Sequence, residues 1–245
     1  MPKTEEIPEN AKRTAGEGEA SAGHRREPLT RERIVRTALR LMDEEGLDAV
    51  TMRHIGRELG VEAMSLYNHV RDKEDILDGV AEAVMADYRP EPASEDWVGW
   101  ARAAAHEWRR LLKAHPNVIT LLVERKHPMT SVEALQPMEH ALEIIRQGGL
   151  PEEDTVQAFR AIGGYIFGFV MMEVGNMVAG QGERYTDAQM EELARALPAD
   201  RLPRFLELLP YLARCDDDAT FDFGLELLLD GIRARAARAR RAAGS

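Results

Sequence analysis

The residues whose types and spacing are most informative lie between Val50 and Ile76, VTMRHIGRELGVEAMSLYNHVRDKEDI. The stretch reads as a short helix, a glycine turn at Gly60 and a second short helix whose end carries Tyr67, His69 and Lys73. In that second helix Met64 or Ser65 near the amino end, and Tyr67 and Asn68 beyond, face outward while Leu66 and Val70 pack back. Outward residues at the amino end of a recognition helix are the ones that touch base edges in a major groove. The chemistry implied is DNA reading by a helix-turn-helix.

No catalytic constellation assembles beside it. His106-Glu107 opens like a zinc-protease motif on a helix, but Arg110 stands where the second histidine belongs. Glu124 and His127 have the Glu-x-x-His spacing of di-iron bundles, yet there is no second copy and Pro128 ends the helix. A glycine-rich phosphate loop and a nucleophile elbow are both missing. The sequence therefore predicts no enzyme, no metal and no cofactor. Its single cysteine, Cys215, excludes an internal disulfide and reads as an inert structural thiol in a reducing cytoplasm.

With 245 residues, 44% hydrophobic and 31% charged, the chain is long enough for a substantial core and two domains. A formal net charge of −11 at pH 7 argues against indiscriminate coating of nucleic acid, because non-specific affinity is mostly phosphate neutralisation by Lys and Arg. An acidic chain still reads DNA when a small face presents donors and its acidic groups lie elsewhere. The amino terminus MPKTEEIPENAKRT lacks the apolar core of a secretion signal. The longest apolar stretch, Ala161 to Gly180, is interrupted by Glu173 and Asn176 and reads as a buried helix, with no membrane partner.

The elements that position the motif follow from periodicity and caps. Residues 1–27, rich in Pro, Gly, Ala, Glu and Lys, are expected to be a disordered extension, with His24-Arg25-Arg26 a solvated basic patch or a phosphate contact. A head over residues 28–75 begins with a helix from the Thr30 cap to Gly46, with Ile34, Ala38, Leu41 and Met42 inward and Arg31, Arg33, Arg36 and Arg40 largely off that stripe, available to flank DNA. Thr51 caps the next helix. Asp72 opens a connector helix that, with the linker after it, spans 76–92 and stops at Pro90 and Pro92. The body, 93–240, is helical throughout: Glu95–Ala114 capped by Ser94, Asn117–Glu124, Val132–Gln147, Pro151 to Val178, and a helix capped by Thr186. Pro198, Pro203 and Pro210 chop the following segment, and a last amphipathic helix ends in arginines, which suit its dipole or serve as an extra DNA arm. The class is all-α, a three-helix DNA-binding head on a larger helical bundle.

Two features of the body bear on partners. Gly164 and Gly168 leave one stripe of an apolar helix without side chains, and the last helix shows Phe221, Leu225, Leu228 and Ile232 with Gly224 and Gly231. Either both helices complete a monomer's core, or they form a four-helix homodimer interface, the reading taken here. The tryptophan-rich helix with Trp100 and Trp108, beside Leu122, Met138 and Phe159, is ordinary core or the wall of a ligand pocket.

The run LYNHVRDKEDIL, within Thr51 to Leu77, closely resembles the DNA-binding head of the tetracycline-repressor (TetR) family of bacterial transcription regulators. The body from about Asp96 to Ile232, including FGLELLLDGI, looks like that branch's carboxyl-terminal domain. The resemblance implies that Arg53 and the Ala63-Met64-Ser65 end face bases. It also implies that Thr51, Tyr67, His69 and Lys73 hold phosphates or position the helix. Ala63 and Met64 are apolar where tetracycline repressors carry Gln and Pro, so a different operator is expected, with a thymine methyl as a natural contact. Trp108 falls at an aromatic of the tetracycline pocket and Glu173 at a carboxylate near its bound metal, whereas Leu122 replaces the metal-binding histidine. An apolar or aromatic small-molecule effector fits this set better than magnesium-tetracycline. The resulting expectation is a homodimeric repressor of double-stranded operator DNA, released by that effector. Two other readings stand beside it: a carrier or enzyme with an accessory helix-turn-helix, and a regulator without effector.

Overall fold

The computed structural model describes residues 28–92, 96–124, 131–174, 187–212 and 217–243. The expectations for the amino-terminal extension, the Ser94 and Thr186 caps, His127 and Cys215 lie outside these residues. Every regular element described is helical: α1 Arg31–Glu45, α2 Met52–Leu59, α3 Ala63–Leu66, α4 Lys73–Ala86, α5 Trp97–Ala114, α6 Pro116–Glu124, α7 Val132–Gln147, α8 Glu152–Val174, α9 Asp187–Ala196, α10 Pro203–Leu212 and α11 Asp217–Ala243. The all-α class is as expected.

Local chemistry sets the helix starts. Thr30, Thr51, Asp72, Asp96 and Ser131 are extended residues whose side-chain oxygens accept an amide hydrogen three residues on, satisfying donors that a first turn leaves open. Four boundaries differ from expectation. Helix α4 ends at Ala86, short of Pro90, where the Asp87 and Tyr88 amides turn back to the Val84 and Met85 carbonyls at 3.2 and 3.1 Å. Helix α5 starts at Trp97 because Asp96 caps it, its Oδ1 2.7 Å from the Gly99 amide. Helix α6 starts one residue early, at Pro116, since proline in a first turn gives up only an amide that has no helical partner there. The proline-rich segment is not chopped throughout: Pro203 is the first residue of α10, and Pro210 sits in its last turn.

Packing divides the interior in two. The head core joins α1 to α4 through Ile34, Leu41, Ile55, Leu66, Ile76 and Val80, and it also takes Val118 and Leu121 from α6. The connector helix is thus a full wall of the head, with Val84 and Met85 in the same core. Arg31 pins α1 to α4 by ion pairs to Asp75 at 3.1 Å and Glu82 at 3.3 Å. The second core joins α5, α7, α8 and α11. Helix α8 is long and apolar enough by composition to cross a membrane, but here Ala158, Ile162, Ile166, Phe169 and Val170 are buried within this core.

Candidate functional site: a DNA-reading head and an apolar cavity

The helix-turn-helix is built on two glycines. Gly60 ends α2 at φ 68° and ψ 35°, the left-handed conformation that glycine adopts without steric penalty. Gly56 sits where α2 and α3 approach most closely. A Cβ there would stand 3.0 Å from the Val61 carbonyl oxygen and 3.2 Å from the Ala63 amide nitrogen. With Leu59, Leu66 and Val70 packed below, the opposite faces of both helices turn to solvent.

Of the residues expected to meet DNA, Thr51, Arg53, Met64, Tyr67 and His69 are exposed, and Ala63, Ser65 and Lys73 are half-buried. Met64 is 74% exposed, extreme for a methionine on a helix whose other apolar residues are packed. The side chains of Arg53, Tyr67, His69 and Lys73 have no hydrogen bond or ion pair among the described residues. Several other basic residues of the head are engaged. Arg40 bridges Glu44 and Glu58, both at 2.7 Å, and Arg57 contacts the His54 ring. Arg53, Tyr67, His69 and Lys73 thus keep donors available for a ligand, in a chain that is acidic as a whole.

The head is tied to the body at the α5–α6 junction. His115 Nδ1 lies 2.9 Å from Asp43 Oδ2, and the Asn117 amide donates to the Met42 carbonyl at 2.8 Å. Both contacts reach the last turn of α1.

Above this junction the body encloses a cavity of about 630 Å³, within the size range of small-molecule sites of roughly 300–1,000 Å³. Met85 and Tyr88 from the end of α4, Trp108 from α5, Leu122 from α6, Met138 from α7, and Phe159 and Phe167 from α8 line it. The space exists because of small residues. Helix α5 presents Ala101, Ala104 and Ala105 at helical spacing, and α8 presents Gly163 and Gly164, where an added Cβ would meet nothing within 4 Å. Trp108 stands edge-on to Tyr88 and to Phe167, with ring centroids 6.3 and 6.1 Å away.

Four of the six residues expected at a pocket, Trp108, Leu122, Met138 and Phe159, share this wall. Trp100 does not: it packs on His140, centroids 5.3 Å apart. Glu173 does not either, because both of its oxygens are taken. Oε2 accepts from Arg109 Nε at 2.9 Å, and Oε1 from Arg109 Nη2 at 2.6 Å and Lys113 Nζ at 2.7 Å. Burial alone raises this carboxyl, yet the hydrogen bonds from Arg109 and Lys113 outweigh it and hold Glu173 below the usual carboxylate range. Tyr88 and Arg160, also on the wall, were not expected; the alanine and glycine spacing was the available signal for a hollow between α5 and α8.

The expected interface residues of the last helix also need correction. Phe221 and Leu225 are fully buried in their own chain, Ile232 is buried and Leu228 half-buried. Gly224 makes room for Tyr165, whose hydroxyl donates to the Phe221 carbonyl at 2.8 Å. The large apolar residues that α11 turns outward are Phe223 and Leu227; on α8 they are Val156 near its start and, in its last turn, Met171 and Met172, and Gly164 and Gly168 of that helix are exposed too. Gly164 faces the cavity as well. Opposite its Asp222–Glu226–Asp230 stripe the first half of the last helix carries an apolar face wider than one contact, so periodicity could not say which part of it its own core would claim.

Comparison with known proteins agrees with this architecture. Residues 34–80 match the family described as bacterial regulatory proteins, tetR family, and residues 89–236 match the tetracyclin repressor-like, C-terminal domain. The chain is 33% identical over 222 residues to the HTH-type transcriptional repressor DrrR1 of Streptomyces coeruleorubidus, covering 86% of this chain and 80% of that protein. It is 28% identical over 211 residues to the class D tetracycline repressor protein of Escherichia coli, covering 84% and 90%. Among solved structures, ActR of Streptomyces coelicolor in complex with actinorhodin superposes with a TM-score of 0.69 at 28% identity, covering 86% of this chain and 99% of ActR. ActR has also been solved with (S)-DNPA, with a TM-score of 0.68 at 28% identity over 85% of this chain and 98% of ActR. With a helix-turn-helix presenting unengaged donors and a hollow helical body behind it, the chain belongs to the tetracycline-repressor family of bacterial DNA-binding transcription regulators.

Proposed function

We propose that the protein is a homodimeric, cytoplasmic repressor that leaves its operator when an apolar or aromatic small molecule enters the body cavity. One observation carries the reading: α4 and α6 each belong to both the head and the cavity. Helix α4 places Ile76, Leu77 and Val80 in the head core and Met85 on the cavity wall. Helix α6 places Val118 and Leu121 in the head core and Leu122 on the wall. A ligand that binds one arrangement of these helices more tightly shifts the population of head positions by that difference in affinity. The ligand complexes of ActR support a cavity of this kind as an effector site.

In the bound state, Arg53 and the Ala63-Met64-Ser65 end of α3 reach base edges, with the two apolar side chains suited to a thymine methyl. Thr51, Tyr67, His69 and Lys73 hold phosphates and fix register. Two copies pair through α8 and α11, burying Met171, Met172, Phe223 and Leu227, so that the heads meet successive major grooves. Selection of bound genomic fragments by the purified chain tests the function, and recovery of no enriched palindromic site overturns it. With that operator, Tyr67→Ala is expected to weaken binding by about tenfold or more, the worth of one hydrogen bond to a charged phosphate at about 1.5 kcal/mol or above. The thermal midpoint should stay unchanged, because Tyr67 is 48% exposed and outside the head core. Equal affinities in a titration at fixed salt remove the outer face from the interface.

A further inference from the structure

We propose that the effector is an aromatic anion, its ring system lodged among Trp108, Phe159 and Phe167 and its negative group held by Arg160 at the cavity mouth. This inference rests on the cavity being the effector site and adds the ligand's charge and polarity. It begins with the polar groups of the wall. Among the described residues, those lining the cavity include no Asp, Glu or His. The polar side-chain groups they present are the Trp108 indole N–H and the Arg160 guanidinium, which only donate, and the Tyr88 hydroxyl, which donates and can also accept.

None of these three groups has a hydrogen-bond or ion-pair partner among the described residues. The contrast with Arg109 is direct, since that guanidinium on the same body is paired with both Glu173 and Asp218. Arg160 is exposed and also lines the cavity, which puts it at the rim. Burial, reinforced by nearby Glu107, pushes the Tyr88 phenol above its ordinary range, so it remains a donor at neutral pH.

A described wall with one cation, two neutral donors and no carboxylate selects among apolar ligands. A cation would meet Arg160 with like charge and find no carboxylate. A pure hydrocarbon would strip water from the Tyr88 and Trp108 donors and return nothing, which is unfavourable for each buried group. A ring compound with carbonyl or phenolic oxygens satisfies those donors, and a carboxylate or equivalent anion matches the fork of the arginine.

Two fluorescent probes with one ring skeleton test this on the full chain: 1-anilinonaphthalene-8-sulfonate, an anion, and N-phenyl-1-naphthylamine, which lacks the sulfonate. Arg160→Met is expected to lower the affinity for the sulfonate about tenfold while leaving the neutral probe within roughly twofold, as loss of one charge-assisted contact at a solvated rim implies. Arg160→Lys should retain part of the difference, and rising salt should weaken only the anion. Gly163→Leu, which fills open space on the α8 wall, is expected to remove both probes from the cavity. Equal weakening of both probes by Arg160→Met, or of neither, overturns the anion assignment and leaves the cavity as a ligand site. Binding of both probes unaffected by Gly163→Leu overturns the cavity reading itself, and this inference with it.

Discussion

Arg109→Met is expected to destabilise the body by about 3–5 kcal/mol, the usual consequence of removing one partner from a buried ion pair. The guanidinium is 6% exposed, bonded to both oxygens of Glu173 and to Asp218, and it lies over the Phe221 ring at 4.6 Å and the Phe169 ring at 5.4 Å. Methionine fills much of the same volume against those rings, so the dominant loss is electrostatic: Glu173 stays buried with only Lys113 to neutralise it. The remaining partner places the result at the lower end of the range. Urea unfolding should show a lower midpoint at unchanged slope.

Acid should diminish that difference. Glu173 is held below its ordinary range in the fold, so its contribution is present above the unfolded value of about 4.3 and is lost as pH falls through the lower folded value. Below that point wild type no longer benefits from the ionised pair, and the two proteins converge. Unfolding curves at pH 7 and near pH 3 check this; a gap that widens on acidification would place the stabilisation somewhere other than the Glu173 carboxylate.

Gly56→Val is expected to reduce operator binding to the non-specific level, a loss of at least about 10³-fold. The added Cβ meets backbone atoms, the Val61 oxygen and the Ala63 nitrogen, and these move only if the turn moves. Overpacking of this kind costs about 1–3 kcal/mol. Its larger effect is geometric, because α3 can no longer lie against α2 while its amino end reaches a groove. Body stability and probe binding should persist, since Gly56 contacts neither α5 nor α8. Operator affinity within a few-fold of wild type would show that the turn relaxes without displacing the recognition helix.

The head was legible because its signals are local. Thr51, Gly60 and the Leu59–Leu66–Val70 spacing each act within a turn or two of chain, and caps, left-handed glycine and helical stripes depend on neighbours a few residues away. The body was legible as helices and less so as a site. Trp100 and Trp108 lie on one helix at two-turn separation, yet only Trp108 reaches the cavity, while Trp100 turns to His140. Glu173 has the type and apolar setting of a pocket carboxylate, but Arg109, 64 residues away in sequence, takes it out of play.

By itself the sequence determined the helical class, the start of most helices, the helix-turn-helix and, through the resemblance carried by LYNHVRDKEDIL, the family. Tertiary structure decided which faces the body helices show one another. Helix α11 offers a wide apolar face in its first half, and burying Phe221 and Leu225 against α5 and α8 left Phe223 and Leu227 outward. The cavity was decided the same way. Alanines on α5 and glycines on α8 are ordinary helix residues until the two helices face each other, and the missing side-chain volume then becomes a hollow lined, among the described residues, by apolar side chains with Tyr88, Trp108 and Arg160. Periodicity records how a helix is divided into stripes; only the fixed arrangement of its neighbours assigns each stripe to core, cavity or solvent.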